Sequence, residues 1–367
     1  MEVALMRVDL LDPPAYSPPY DHALATALSA TGLSVRLLTS RFAYGEAPAP
    51  AGYRREERFY RHAVGPAGSR WRGLSKRVEH PLDMLAYRRS APAAADVVHF
   101  QWLTVPRLDL RLLPDRPTVL TLHDPLERGR PPLPAAAFAR VAAVIVHSEH
   151  ARARVIAQHG LEPERVHVIR HGALPPATAP GPLPAELRDT GEPVVLSYGL
   201  LRPYKGTGTL LEAWRGLTGA QLWVVGRPMM DVSGLLAAAP AGARLVPRFV
   251  SAAEEAALFR RADVVVLPYE RSERFGFSGV LATALGHGKA IVLSDVGGLA
   301  DVAAVGAAVL VPPGDAPALH AALADLIAAP QRRERLAAAA VAAAEGAYAW
   351  STVARETVSL YQSVAAP

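Results

Sequence analysis

Two loops hold the residues best suited to chemistry in this chain. The first, Leu196-Ser197-Tyr198-Gly199-Leu200-Leu201-Arg202-Pro203-Tyr204-Lys205-Gly206, sets Arg202 and Lys205 between an expected strand and an expected helix. Arginine can grip a phosphate with two parallel bonds, whereas lysine acts as a mobile point charge. The second loop feeds Ser278, Gly279 and Val280 into an apolar helical run ending at Leu285. Small residues at a helix start leave backbone N–H groups unsatisfied, with the positive end of the helix dipole behind them. Such a start binds phosphate. Taken singly, each loop has a plainer explanation: two solvated cations, and a serine that caps its helix. One cationic and one amide-rich loop in the same half of the chain suit a diphosphate better.

Other polar residues read more plainly. His123-Asp124 ends an expected strand, but no third ligand stands at metal spacing, so no metal is expected. His99 lies inside an apolar strand and reads as a core histidine. Asp21-His22 begins a helix and reads as a cap. Glu270 and Glu273 read as solvated loop acids, and Tyr20 closes a proline-rich loop.

These residues need two scaffolds. A chain of 367 residues suits two domains, each with its own core. No run approaches the roughly 18 consecutive apolar residues of a membrane span, and MEVALMRVDL carries no secretory signal. There are no cysteines, which removes disulfides, thiolate metal sites and a cysteine nucleophile. A cytoplasmic chain is expected. The net charge of +5 points to anionic partners. Basic and aromatic residues interleave over 53–77, as a solvated face, a cleft rim or a peripheral contact with anionic lipid. With no helix-turn-helix, zinc or RNA-recognition signature, no nucleic-acid partner is expected.

Short apolar strands alternate with helices. Strands are expected at 3–10, 34–39, 96–100, 118–123, 141–147 and 166–169, with a helix at about 20–30. Residues 172–193 hold six prolines and read as a hinge. The pattern restarts with strands at 194–197, 221–225, 244–246, 264–267, 290–293 and 309–311, a helix at about 207–217, and a capping box at Ser251–Glu254. An amphipathic helix is expected over 352–364. Apolar strands interleaved with helices make parallel sheets covered on both faces. The fold class is therefore α/β, with two Rossmann-like, doubly wound lobes and a cleft between them. The expected lobes are 1–178 and 179–351, with 352–367 packing back on the first.

At this point the segments LSYGLLRPYKGTGTLLEAW, VVLPYERSERFGFSGVLATALGHGKAIVLSDVGGLADV and IVHSEHARARVIAQHGLEPERVHVIRHG resemble the glycosyltransferases group 1. This is a large retaining family of GT-B architecture. DVVHFQWL and VLTLHD resemble its first-lobe strands. The resemblance implies a nucleotide-diphosphate sugar held by the second lobe and an acceptor received by the first. It implies that Arg202 and Lys205 neutralise the diphosphate and that the amides of Ser278, Gly279 and Val280 cradle it. His123 would face the transferred sugar, Tyr20 and Glu273 would lie on the acceptor and sugar side, with Glu270 or Glu273 meeting a sugar hydroxyl, and Arg248, Phe249 and Val250 would flank the nucleoside. The acceptor would be a small molecule, a glycan or a lipid-linked glycan, and no cofactor is implied.

Two features depart from the family pattern. The usual pair of glutamates with seven residues between them is replaced: Thr283 stands at the second position, where the family's carboxylate meets the ribose. The glycine-rich loop after the first strand is replaced by Asp12-Pro13-Pro14-Ala15-Tyr16-Ser17-Pro18-Pro19-Tyr20. A GT-B nucleotide-sugar epimerase, or a catalytically silent nucleotide-sugar-binding protein, would share the donor site. A nicotinamide dehydrogenase lacks support, since no GxGxxG follows either opening strand.

Overall fold

The computed structural model describes residues 5–43, 47–65, 69–124, 131–176, 178–272 and 276–366. The chain forms two compact units. One comprises Met1–Gly172, Arg274–Gly276 and Trp350–Pro367; the other comprises Ala173–Glu273 and Phe277–Ala349.

The first unit opens with β1 (Arg7–Asp12), α1 (Pro18–Ala30), β2 (Ser34–Ser40), β3 (Arg54–Phe59) and α2 (Arg70–Ala94). It continues through β4 (Val97–Phe100), α3 (Pro106–Asp109), β5 (Thr118–Thr121), β6 (Ala143–Val146), α4 (Glu149–His159) and β7 (Val166–Val168). Its seven strands lie in the order β3-β2-β1-β4-β5-β6-β7, and every pairing is parallel. Pro18 and Pro19 start α1, where a missing N–H costs nothing.

The sequence reading gives no element to residues 53–94, and the structure corrects it with β3 and α2. Only Phe59 of β3 is buried; its arginines and glutamates suit a charged edge strand. Pro81 and Pro92 lie inside α2 and disguise it, because proline removes a helix donor.

The second unit contains β8 (Val194–Tyr198), α5 (Thr207–Trp214), β9 (Gln221–Val225), α6 (Ser233–Ala237), β10 (Ala243–Val246) and α7 (Ala252–Arg261). Next come β11 (Val264–Leu267), α8 (Gly279–Gly286), β12 (Ala290–Ser294), α9 (Ala300–Ala304), β13 (Ala308–Val311), α10 (Ala316–Ala328) and α11 (Pro330–Glu345). The six parallel strands run β10-β9-β8-β11-β12-β13. Both sheets reverse strand order beside their first strand, at β1/β4 and β8/β11. Open α/β sheets bind ligands at such points, outside the carboxyl ends of the strands.

The last helix, α12 (Trp350–Ala365), belongs to the first unit and packs on α1. It buries Val353, Ala354, Leu360 and Tyr361 in one apolar cluster with Val8, Leu10, Leu24 and Leu28. Within that cluster the Tyr361 hydroxyl lies 2.6 Å from His99 Nδ1. His99 is thus a satisfied core residue, as its strand position suggests. Tyr361→Phe would leave a buried ring nitrogen unpaired. Urea unfolding should show a loss of about 1–3 kcal/mol; a change within a few tenths of a kcal/mol would show that this bond stabilises nothing.

Candidate functional site

In the second unit, Arg202 and Lys205 follow β8, and Tyr269 follows β11. Lys205 Nζ donates to the Tyr269 hydroxyl and lies 3.9 Å from the centroid of that ring. The same hydroxyl lies 2.9 Å from Ser278 Oγ, at the start of α8. Tyr269 therefore joins the cationic loop to the amide-rich one. It is buried, which pushes its phenol far above the usual range and keeps it neutral. Sequence reasoning missed Tyr269. Its available signal was an aromatic residue just beyond a parallel strand's carboxyl end.

The plainer reading of Ser278 fails, because its side chain makes no capping bond. The first amides of α8, at Gly279 and Val280, thus keep the unsatisfied character of a helix start. Arg202 is half-buried, and its buried Nε has no hydrogen-bond partner. A buried N–H without a partner costs about 1–3 kcal/mol, and an anion at this position would remove that cost. The loop is held from beneath by Glu270: its amide donates to the Tyr204 carbonyl at 2.8 Å, and its Oε1 accepts from Thr209 at 2.7 Å. Gly206 adopts a left-handed φ of +66°, and a Cβ there would meet the Pro268 carbonyl oxygen at 1.7 Å. Only glycine lets Lys205 lie this close to β11.

The nucleoside candidates are less uniform. Arg248 is held by Glu186 at 2.7 Å and Glu254 at 2.7 Å, so its guanidinium is already engaged. Phe249 is exposed and Val250 is buried. Thr283 Oγ1 donates to the Gly279 carbonyl at 3.0 Å, which leaves its lone pairs as its remaining hydrogen-bonding capacity. Glu273 lies outside the described residues.

The first unit carries a row of histidines along the carboxyl edge of its sheet. His99 lies in β4, and His123, His147 and His171 follow β5, β6 and β7. His123 Nδ1 lies 3.1 Å from His147 Nε2. Trp102 stacks on the His123 ring at 4.9 Å, and Tyr20 meets it edge-on at 4.8 Å. Tyr20 is buried and packs also on His171 and Trp350. Burial pushes His99 and His171 down to about 3 and His147 to about 4, and it holds His123 well below its usual value. Neighbouring histidines deepen the shift of His123. The row is neutral at physiological pH.

Residues 192–329 match the family model for glycosyl transferases group 1, and residues 20–173 match that for glycosyltransferase family 4. Each half of the chain thus matches a glycosyltransferase family model, and together the two models cover most of it. It is 32% identical to a D-inositol 3-phosphate glycosyltransferase of Frankia alni, over 61% of this chain and 59% of that protein. It is 36% identical to a phosphatidyl-myo-inositol mannosyltransferase of Mycobacterium leprae, over 44% of each. The chain thus spans about three fifths or less of these curated relatives. Among solved structures, a sucrose-phosphate synthase of Thermosynechococcus elongatus superposes with a TM-score of 0.73 at 19% identity, over 98% of this chain and 99% of that one. Anabaena HepE in complex with UDP-glucose gives 0.69 at 16%, over 98% and 100%. The fold is that of the GT-B glycosyltransferases.

The loop that follows β1 holds a buried carboxyl pair. The structure corrects the capping role expected for Asp21: Ser17 is the N-cap of α1, and Asp21 is buried against Asp12. Asp12 Oδ2 accepts from the Ser17 amide at 3.1 Å, and Trp102 Nε1 donates to Ser17 Oγ at 2.8 Å. Two carboxyls buried together favour holding a proton between them, and burial pushes both groups above the usual carboxylate range. A carboxyl raised in this way favours the fold below its unfolded value of about 3.9, and that contribution is lost as pH climbs through the folded value. Asp21→Asn keeps a donor toward Asp12 without the titration. Measured by urea unfolding across pH, the variant should gain on the parent above about pH 4, by up to about 1.4 kcal/mol per pH unit. A difference that stays flat with pH would rule out the shared proton.

Proposed function

We propose that the chain transfers a glycosyl group from a nucleoside-diphosphate sugar to an acceptor hydroxyl, with retention of configuration. The observation that carries this reading is the meeting, through Tyr269, of Lys205 with the start of α8, beside an Arg202 whose Nε is buried and unpartnered. Departure of the diphosphate builds negative charge at the leaving oxygen while the sugar ring gains positive charge. Donors fixed where that charge develops lower the barrier. Arg202, Lys205 and the amides of 278–280 meet the diphosphate without calling on a metal. Thr283 faces the ribose through its lone pairs, and Phe249 offers an exposed ring to the base.

Anabaena HepE was solved in complex with UDP and with UDP-glucose, which makes a uridine diphosphate sugar the first donor to test. The relatives named for inositol 3-phosphate and phosphatidyl-inositol make a phosphorylated or lipid-linked polyol the first acceptor. Lys205→Ala should weaken UDP about ten- to a hundredfold, as expected for a charge-assisted bond of about 1.5–3 kcal/mol. Uridine affinity should be unchanged in the same calorimetric titrations. Equal loss for both ligands would place Lys205 outside the diphosphate site.

The reading extends to a cytoplasmic chain in peripheral contact with anionic lipid. On α2, Trp71, Leu74, Val78 and Leu82 are exposed at helical spacing, with exposed Arg70 and Arg77 beside them. Apolar and basic residues arranged in this way suit a lipid interface. No helix among the described residues is long and apolar enough to cross a membrane. Sedimentation with phosphatidylserine vesicles should fall at least tenfold for Trp71→Ser with Leu74→Ser. Equal sedimentation of parent and variant would remove α2 from any membrane role.

A further inference from the structure

The histidine row of the first unit determines where the protons of His123 lie. His147 Nδ1 lies 2.9 Å from the Ile169 carbonyl, which can only accept, so His147 carries its proton on Nδ1. Its Nε2 is then a bare lone pair, and it faces His123 Nδ1 at 3.1 Å. His123 must donate there from a protonated Nδ1. As a neutral ring it then presents a lone pair at Nε2.

Gln101 completes the row. Its carboxamide oxygen lies 3.3 Å from His123 Nε2 and its nitrogen 3.2 Å from His99 Nε2. The two ends of a carboxamide are nearly alike in size, so its orientation follows from the donors around it. A lone pair at His123 Nε2 calls for the NH2 end on that side. The oxygen then faces His99 Nε2–H, which it shares with Thr121 Oγ1 at 2.7 Å, and the Tyr361 hydroxyl donates to His99 Nδ1. No contact then sets donor against donor or lone pair against lone pair. The opposite polarity sets the lone pair of His147 Nδ1 against the Ile169 carbonyl, or else makes His147 cationic. Burial opposes the cation, holding that ring at about 4.

We infer that His147 locks His123 as the Nδ1–H tautomer, so that His123 Nε2 can accept a hydrogen bond from a substrate hydroxyl but cannot donate one. His147 is a positioning residue, which acts only through His123. Gln101 satisfies the lone pair while the site is empty, through a contact long enough for a hydroxyl to displace. His123 therefore selects a hydroxyl that can donate, and it cannot act as an acid toward a leaving group. The hydroxyl contact rests on the glycosyltransferase reading; the tautomer does not.

Two-bond proton–nitrogen spectra of the full chain labelled in its histidines test both parts, with His123 assigned through His123→Asn. The expected His123 pattern is a protonated Nδ1 and a bare Nε2 across neutral pH. His147→Phe keeps a ring but removes the acceptor, and His123 should pass mainly to the Nε2–H form. His147→Gln returns an acceptor oxygen and should restore the parent pattern. A parent His123 protonated at Nε2, or a pattern that His147→Phe leaves unchanged, overturns the inference. If His147→Phe does not fold, the parent and His147→Gln spectra still decide it. UDP-glucose, but not UDP, should then move the Nε2 resonance. If the tautomer is as stated and UDP-glucose moves nothing, the sugar-facing role of His123 fails while the lock stands.

Discussion

Parallel pairing is the constraint on which the rest of this structure depends. When every strand of a sheet runs the same way, every strand-to-helix connection leaves at the same edge. Chemistry therefore collects along the carboxyl ends of the strands rather than over a face. Arg202, Lys205 and Tyr269 stand at that edge in the second unit. Asp12, Gln101, His123 and His147 stand at it in the first. No loop has to travel far to bring them together. Tyr269 meets Lys205 and Ser278 because β8 and β11 are neighbours, although their sequence positions are far apart.

The histidines of the first edge and the cations of the second are held in different ways. In the first unit nearly every ring nitrogen meets a partner of fixed polarity, and burial keeps the histidines neutral. Such a network rigidifies what it contains, since an unmatched member in a low dielectric is costly. In the second unit Arg202 Nε is left without a partner, and the start of α8 has no serine cap. Donors left unsatisfied in this way store a preference for an anion. The first edge is preorganised in its proton positions, the second in its charge.

Much of this was legible in the sequence, and the parts that were not share a cause. Short apolar strands alternating with helices gave both sheets, because a strand buried on both faces has to be apolar throughout. The loops around Arg202 and Ser278 were visible for the same reason: glycine and small residues at strand ends are local signals. What failed was anything set by tertiary partners. β3 reads as a charged loop because an edge strand may expose both its faces, and α2 hides behind two internal prolines. Asp21 has the look of a helix cap, and only the return of β1 beside it turns it into half of a carboxyl pair. Arg248 has the look of a free cation until Glu186 and Glu254 are placed around it.

Tyr269 and His147 were missed for a related reason. Neither residue type announces a role, and both act by holding another side chain. Tyr269 offers one hydroxyl to two partners and a ring face to the ammonium of Lys205, so the cation is held in place while its charge remains available. Replacing it by an aliphatic residue of similar volume would leave the sheet intact and free the lysine to seek water. His147 passes the fixed polarity of one backbone carbonyl outward by a single ring. Residues of this kind lie one bond away from the chemistry, and their spacing in sequence carries no period or motif. They become visible only once the strand order is known, because that order decides which loop ends are neighbours.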